Sequence, residues 1–142
     1  MTRSTFAGAA MFVVLVTILS TRLIAEEITW NTDVKSAWQT AQAANRPLLL
    51  FVTSSHCPYC RKMQSNTLSS PAVARRIQDS YVPVMVNADD SAAIAAQLKV
   101  SGVPTTLLVL PDGRIADRVE GYVSPAKLQG RLESVVKQID AR

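Results

Sequence analysis

Two cysteines that directly follow a short apolar run constrain the fold of this chain more than any other feature. The run covers residues 48–52, and Cys57 and Cys60 are the only two cysteines in the sequence. An apolar run this short predicts a strand, here residues 48–53, that is buried on both faces. The cysteines then lie where a central strand ends and a helix begins, which is where reactive groups collect. We therefore predict that the functional site is here.

The proline after the first cysteine predicts how that helix starts. If Cys57 is the N-cap, Pro58 takes the first helical position, where its missing N–H costs nothing. Cys60 then lies at the third helical position. A sulfur at the N-cap faces unpaired backbone N–H groups and the positive end of the helix dipole, and both favour the thiolate. The sequence therefore predicts Cys57 as the nucleophile and Cys60 as the cysteine that resolves the mixed disulfide.

Length and composition predict one globular domain behind a targeting segment. The chain has 142 residues, of which 48% are hydrophobic and 18% are charged. Residues 6–19 carry no charge and have the length of a signal-peptide hydrophobic region. We expect residues 1–25 to be a signal peptide, cleaved after Ala25, and residues 26–142 to be the domain. The alternative is an uncleaved membrane anchor through residues 6–24. Both predict a periplasmic or extracellular protein.

Charge and cysteine spacing narrow the class of function. The formal net charge is +4, and the basic residues are spread out with no Lys/Arg block, so we expect no nucleic-acid partner. A structural disulfide across Cys-x-x-Cys would close so short a loop that its entropic stabilisation is small. A structural zinc site needs four protein ligands, and the two cysteines with the adjacent His56 give three. We therefore predict redox chemistry, with no metal and no other cofactor.

Helix and strand signals alternate along the rest of the chain. In order, we predict a short edge strand at 28–30, a helix capped by Asp33, the strand 48–53, a helix from Pro58 with a second piece from Pro71, a strand at 81–87, a helix at 92–98, strands at 105–110 and 115–120, and a helix from Pro125. The helical crossover predicts that 81–87 runs parallel to 48–53, and the Asp-Gly turn predicts an antiparallel hairpin. This order indicates an α/β fold with a mixed four- to five-stranded sheet and helices on both faces.

The motif Cys57-Pro58-Tyr59-Cys60, followed later by Gly102-Val103-Pro104-Thr105, resembles the thioredoxin-like superfamily. Residues 57–63 and 67–73 are similar to exported thioredoxin-like proteins related to the C-terminal domain of bacterial transmembrane thiol:disulfide interchange proteins, and residues 81–87 and 111–122 fit that pattern too. The resemblance implies an exported thiol–disulfide oxidoreductase that reduces or exchanges disulfides in protein substrates. It also implies the reductase direction and a membrane redox partner. We expect the protein to be a monomer.

The same resemblance implies further site residues. It implies that Val103–Pro104 is a cis peptide beside the cysteines, where backbone groups of Val103 pair with an extended substrate strand. Tyr59 is a candidate substrate contact, although an exposed aromatic residue there could equally be a surface residue. His56 and Pro58 are candidates for tuning the pKa of the neighbouring thiol, and His56 could instead only cap the loop.

The sequence departs from thioredoxins at two positions and leaves two other functions open. The tryptophan that usually stands just before the first cysteine is replaced by His56. Thioredoxins commonly carry a buried acid six positions before the first cysteine, and this chain has Phe51 there. The Cys-Pro-Tyr-Cys motif is also typical of glutaredoxins, so a glutathione-dependent reductase is the nearest alternative. A non-enzymatic module that binds copper or peptides is the second, although Met63 is at a spacing more typical of packing. Asp89 and Asp90 are predicted to be helix caps.

Overall fold

A four-stranded mixed sheet forms the centre of the domain. The computed structural model describes residues 27–141, so the predicted signal peptide or anchor lies outside the described residues. The strands are β1 (Leu48–Thr53), β2 (Val82–Asn87), β3 (Thr105–Val109) and β4 (Ile115–Glu120). Their order in the sheet is β2-β1-β3-β4, with β2 parallel to β1 and the β1–β3 and β3–β4 pairs antiparallel. The predicted mixed sheet, its parallel pair and its hairpin are confirmed.

Helices cover both faces of this sheet. They are α1 (Val34–Ala43), α2 (Pro58–Lys62), α3 (Pro71–Ser80), α4 (Ala92–Gln97) and α5 (Pro125–Asp140), with a π-helix, Met63–Leu68, between α2 and α3. All six residues of β1 are buried, because successive side chains of a strand point to opposite faces and each face has its own core. Leu49 and Phe51 belong to the core beneath α3 and α5, while Leu50 and Val52 belong to the core beneath α1.

The predicted edge strand at 28–30 is wrong. Instead, Asn31 alone forms a parallel bridge to Val84, with its N–H on the Pro83 carbonyl at 3.0 Å and its carbonyl on the Met85 N–H at 2.9 Å. The preceding rung of a parallel ladder would need the N–H of Pro83, which proline lacks. The ladder therefore stops after a single residue, and the sheet has four strands.

The predicted cap residues lie at the helix starts, but not all of them make the hydrogen bond of a cap. Asp33 is the N-cap of α1, and its Oδ1 accepts the Ser36 N–H at 2.5 Å. Ser70 and Ser124 occupy the N-cap positions of α3 and α5, but neither side chain makes a cap hydrogen bond. Their helices begin with proline, whose fixed φ suits the first helical position. Across residues 27–141, no helix is both long and apolar enough to span a membrane.

Candidate active site

The two cysteines occupy the start of α2, at the carboxyl end of the central strand. Cys57 is the N-cap, Pro58 is the first helical residue and Cys60 lies in the first turn. The two sulfurs form a disulfide, with the Cα atoms 5.2 Å apart. The backbone N–H of Cys60 lies 3.0 Å from Cys57 Sγ, so the N-cap position predicted from the sequence is confirmed. When the disulfide is reduced, this N–H donates to a sulfur at the positive end of a helix, which stabilises negative charge there.

Access to the two sulfurs differs. Cys57 is 8% exposed and Cys60 is 0% exposed. Cys57 therefore keeps a small exposed area that a partner could contact, whereas Cys60 has none. This asymmetry fits a nucleophile and a resolving residue.

The loop before β3 lies directly against Cys57. The Val103 carbonyl oxygen is 3.7 Å from Cys57 Sγ, and the Val103–Pro104 peptide bond is cis. Pro104 is buried and Val103 is half-buried, so the loop is anchored on one side and accessible on the other. The Pro104 carbonyl accepts the Gly121 N–H at 2.8 Å, which ties the loop to the end of β4. The structure thus brings the predicted residues Val103 and Pro104 together with the cysteines.

Three other predicted site residues are exposed around the start of α2. Tyr59 is 63% exposed, and both His56 and Pro58 are exposed. Tyr59 therefore offers an exposed aromatic ring two residues after Cys57. Its exposure fits both of the roles considered for it from the sequence, as a substrate contact or a surface residue.

Phe51 fills the position where thioredoxins commonly carry an acid. Its side chain is 0% exposed, and its ring centroid lies 6.0 Å from that of Trp30 at a tilt of 40°. Position 51 is therefore part of an apolar core and offers no group that can accept a proton from Cys60.

Asp89, which was predicted to be a helix cap, instead holds the loop that leads to Cys57. Its carboxylate accepts the Ser55 N–H at 2.8 Å and the Ser54 hydroxyl at 2.9 and 3.0 Å. The hydrogen bond from Ser55, followed by that from Ser54, holds the pKa of the Asp89 carboxyl below its ordinary value of 3.8. The N-cap position of α4 is Ser91. The signal that could have found this role is the parallel pairing itself, because the carboxyl ends of β1 and β2 meet at one edge.

Tyr122, which follows β4, makes two contacts that no local sequence signal indicates. Its hydroxyl accepts the Asn66 side-chain N–H at 2.6 Å, and the Lys62 ammonium lies 4.4 Å from the centroid of its ring. Lys62 thus contacts an aromatic face. Tyr122 therefore touches the helical segment that begins at Cys57.

Few groups near the cysteines could complete a metal site. Within the described part of the chain, no three His, Cys, Asp or Glu side chains are close enough to hold an ion. Met63 is 0% exposed and belongs to the core, so its predicted packing role is confirmed.

Comparison with known proteins places most of the chain in one family. Residues 34–135 match the family described as "Thioredoxin-like domain". The chain is 29% identical over 100 residues to the thiol:disulfide interchange protein DsbD of Yersinia enterocolitica, which is 67% of this chain and 17% of that protein. The chain therefore spans less than a fifth of this relative. It is also 28% identical over 102 residues to a thioredoxin-like protein of Synechocystis, covering 72% of this chain and 87% of the relative.

Solved structures show the same arrangement of helices and strands. A thioredoxin from Thermus thermophilus matches with a TM-score of 0.70 and 29% identity, covering 77% of this chain and 87% of that one. The oxidised C-terminal domain of DsbD from Neisseria meningitidis matches with a TM-score of 0.64 over 75% of this chain and 98% of that one. At 21% identity, the second match supports the fold alone.

Proposed function

The chain belongs to the thioredoxin-like domain family, and from this premise we propose that it is an exported thiol–disulfide oxidoreductase that reduces or exchanges disulfides in protein substrates. The observation that carries the proposal is the asymmetry of the dithiol. Cys57 keeps a small exposed area beside the Val103–Pro104 loop, whereas Cys60 is completely buried. Fold alone supports many functions, so the proposal rests on this site.

The proposed reaction transfers two electrons from the dithiol to the substrate. The Cys57 thiolate attacks one sulfur of a substrate disulfide, so that a Cys57–substrate bond forms and the substrate S–S bond breaks. The departing thiolate takes the proton of the Cys60 thiol. The Cys60 thiolate then attacks Cys57 Sγ and releases the second substrate thiolate, which takes a proton from solvent. The protein is left with the Cys57–Cys60 disulfide, the form in which the two cysteines are paired here. Val103, Pro104 and Tyr59 are the proposed substrate contacts, and His56 and Pro58 are proposed to tune the thiolate.

Each turnover requires an external source of electrons. The sequence has two cysteines, so it contains no second dithiol to regenerate the first. We place the protein in the reductase direction, supplied by a dithiol on a membrane redox partner. Export through residues 1–25, either as a cleaved signal peptide or as an anchor through residues 6–24, would put the protein where disulfides persist.

The reduction potential of the Cys57–Cys60 pair tests the direction. Equilibration of the protein with glutathione redox buffers, read by trapping free thiols, should give a value closer to the −270 mV of a reductant than to the −120 mV of an oxidant. A potential above about −150 mV would favour a disulfide-forming oxidase instead.

Matched serine variants test the roles of the two cysteines. Cys57→Ser and Cys60→Ser should both stop catalytic insulin reduction, but only Cys60→Ser should accumulate covalent complexes with substrate. Retention of insulin reduction by Cys57→Ser would show that the nucleophile is assigned wrongly.

For export, the mass of the protein from the exported fraction should correspond to a chain that starts at Glu26. An intact Met1 in the membrane fraction would support the anchor, and protein confined to the cytoplasm would contradict export.

A further inference from the structure

Residues 121–123, which follow β4, contact both halves of the site. On one side, the Gly121 N–H donates to the Pro104 carbonyl at 2.8 Å. On the other, the Val123 carbonyl accepts the Thr67 hydroxyl at 2.6 Å, and both of these residues are buried. This segment therefore links the loop that faces Cys57 to the helical segment that carries it.

Tyr122, in the middle of the segment, makes the accessible part of this link. Its hydroxyl is bonded to Asn66 at 2.6 Å, and Lys62 lies over its ring at 4.4 Å. Residues four apart share one side of a helix, so Lys62 and Asn66 form a single surface against which the tyrosine packs. Asn66 belongs to the π-helix, Met63–Leu68, a rare conformation that is frequent at functional sites.

We propose that Tyr122 is a positioning residue that sets the Val103–Pro104 loop against the cysteine-bearing helix, and so determines how well a polypeptide disulfide binds. The inference rests on the proposed function. A polypeptide must contact the loop and place its sulfur on Cys57 at the same time. The 3.7 Å separation between the Val103 oxygen and Cys57 Sγ leaves little tolerance for movement of one half against the other. A small disulfide needs only the sulfur of Cys57, so it is less sensitive to the position of the loop.

The test compares two probes, insulin as the polypeptide disulfide and bis(2-hydroxyethyl) disulfide as the small one. Tyr122→Phe removes the bond to Asn66 and should raise KM for insulin about 5-fold, the effect of one hydrogen bond, with a much smaller change in kcat. Tyr122→Ala also removes the ring beneath Lys62 and should raise KM about 10-fold or more. The rate constant with the small disulfide should fall less than 2-fold, because this substrate does not need to contact the Val103–Pro104 loop.

Two further variants separate positioning from general stability. Asn66→Ala should reproduce the effect of Tyr122→Phe, and the double variant should be no worse than either one, because the two side chains share one bond. Tyr81→Phe is the matched control. The hydroxyl of Tyr81 donates to the Leu132 carbonyl at 2.8 Å, and Tyr81 lies at the amino end of β2, away from the cysteines. This variant should lower the melting temperature without raising KM for insulin.

Equal effects of Tyr122→Phe on both disulfides, no effect on either, or additive effects with Asn66→Ala would each overturn the inference. These outcomes leave the proposed function standing as long as the unaltered protein reduces insulin. If the unaltered protein reduces neither disulfide, the proposed function itself fails and the inference fails with it.

Discussion

The buried hydroxyl of Tyr81 allows a quantitative test of how the core is held together. Tyr81 is 0% exposed, and its hydroxyl donates to the Leu132 carbonyl in α5 at 2.8 Å. Tyr81→Phe removes only the hydroxyl. The Leu132 carbonyl lies within an α-helix and keeps the bond expected from the N–H four residues later, so it is not left without a partner. We therefore expect a loss of about 1 kcal/mol, the net contribution of one hydrogen bond. For a domain of this size, that lowers the melting temperature by about 3–5 °C.

The pH dependence of the same variant tests whether the hydroxyl is truly desolvated. Burial, opposed in part by the charge of Arg76, raises the pKa of Tyr81 above its ordinary value of 10.0. A raised folded-state pKa means that this contribution to stability is complete below pH 10 and is lost as pH rises further. For one group with a raised folded-state pKa, the free energy of unfolding falls by about 1.4 kcal/mol when the pH is one unit above the pKa of the group in the unfolded chain. The unaltered protein should therefore lose its advantage over Tyr81→Phe near pH 11.

Urea unfolding of both proteins from pH 7 to pH 11, followed by circular dichroism, measures this difference. The free energies of unfolding should differ by about 1 kcal/mol at pH 7 and converge near pH 11. A difference that stays constant across the range would refute the reasoning, since it would mean that the Tyr81 hydroxyl ionises as readily in the folded protein as in the unfolded chain.

Two other substitutions test local features of the fold. Asp89→Asn should lower the melting temperature at pH 7, and because hydrogen bonds from Ser54 and Ser55 lower the pKa of Asp89, its deficit should shrink as pH falls below 3.8. A deficit that is the same at pH 7 and at pH 2.5 would contradict the role of the carboxylate. Gly113→Ala should lower the free energy of unfolding by about 1 kcal/mol or more, measured in a thermal melt. Gly113 has φ +90°, which an alanine rarely adopts. The new Cβ would make only an ordinary contact with Trp38, so the cost comes from backbone strain. An unchanged melting temperature would mean that the turn can relax.

Much of the fold could be predicted because local signals and the global pattern agree. The apolar run at β1 predicted a strand buried on both faces, and all six of its residues are buried. Pro58 after Cys57 predicted the start of a helix, and the structure begins α2 there. The family and the fold that these motifs predicted are both confirmed. Each of these features depends on residues close together in sequence, where capping and periodicity carry the information.

The features that were missed depend on pairs of residues far apart or on small changes in helical geometry. The Asn66–Tyr122 bond joins positions 56 apart, and nothing in either local sequence selects the other partner. The π-helix, Met63–Leu68, has only six residues. This is too short for the spacing of apolar residues to distinguish the period of a π-helix from that of an α-helix. The absent edge strand has a cause that is present in the local sequence, the proline at position 83. Pro83 has no N–H to offer a neighbouring strand, but this matters only because residues 28–31 lie on that side of β2, which the sequence does not show.

Phe51 determines where the proton of Cys60 can go. A carboxylate at this fully buried position would be strongly disfavoured without a partner, whereas burying a phenylalanine side chain stabilises the fold by about 1.5–3 kcal/mol. Cys60 is equally buried, and the phenyl ring of Phe51 cannot accept a proton from the Cys60 thiol of the reduced form. In the proposed reaction, the substrate thiolate released by the attack of Cys57 is a base that each turnover provides. We therefore expect the attack by Cys60 to be slower when that departing thiol is more acidic. Single-turnover measurements with a series of unsymmetrical disulfides would test this, and a rate of resolution that does not vary with the acidity of the departing thiol would contradict it.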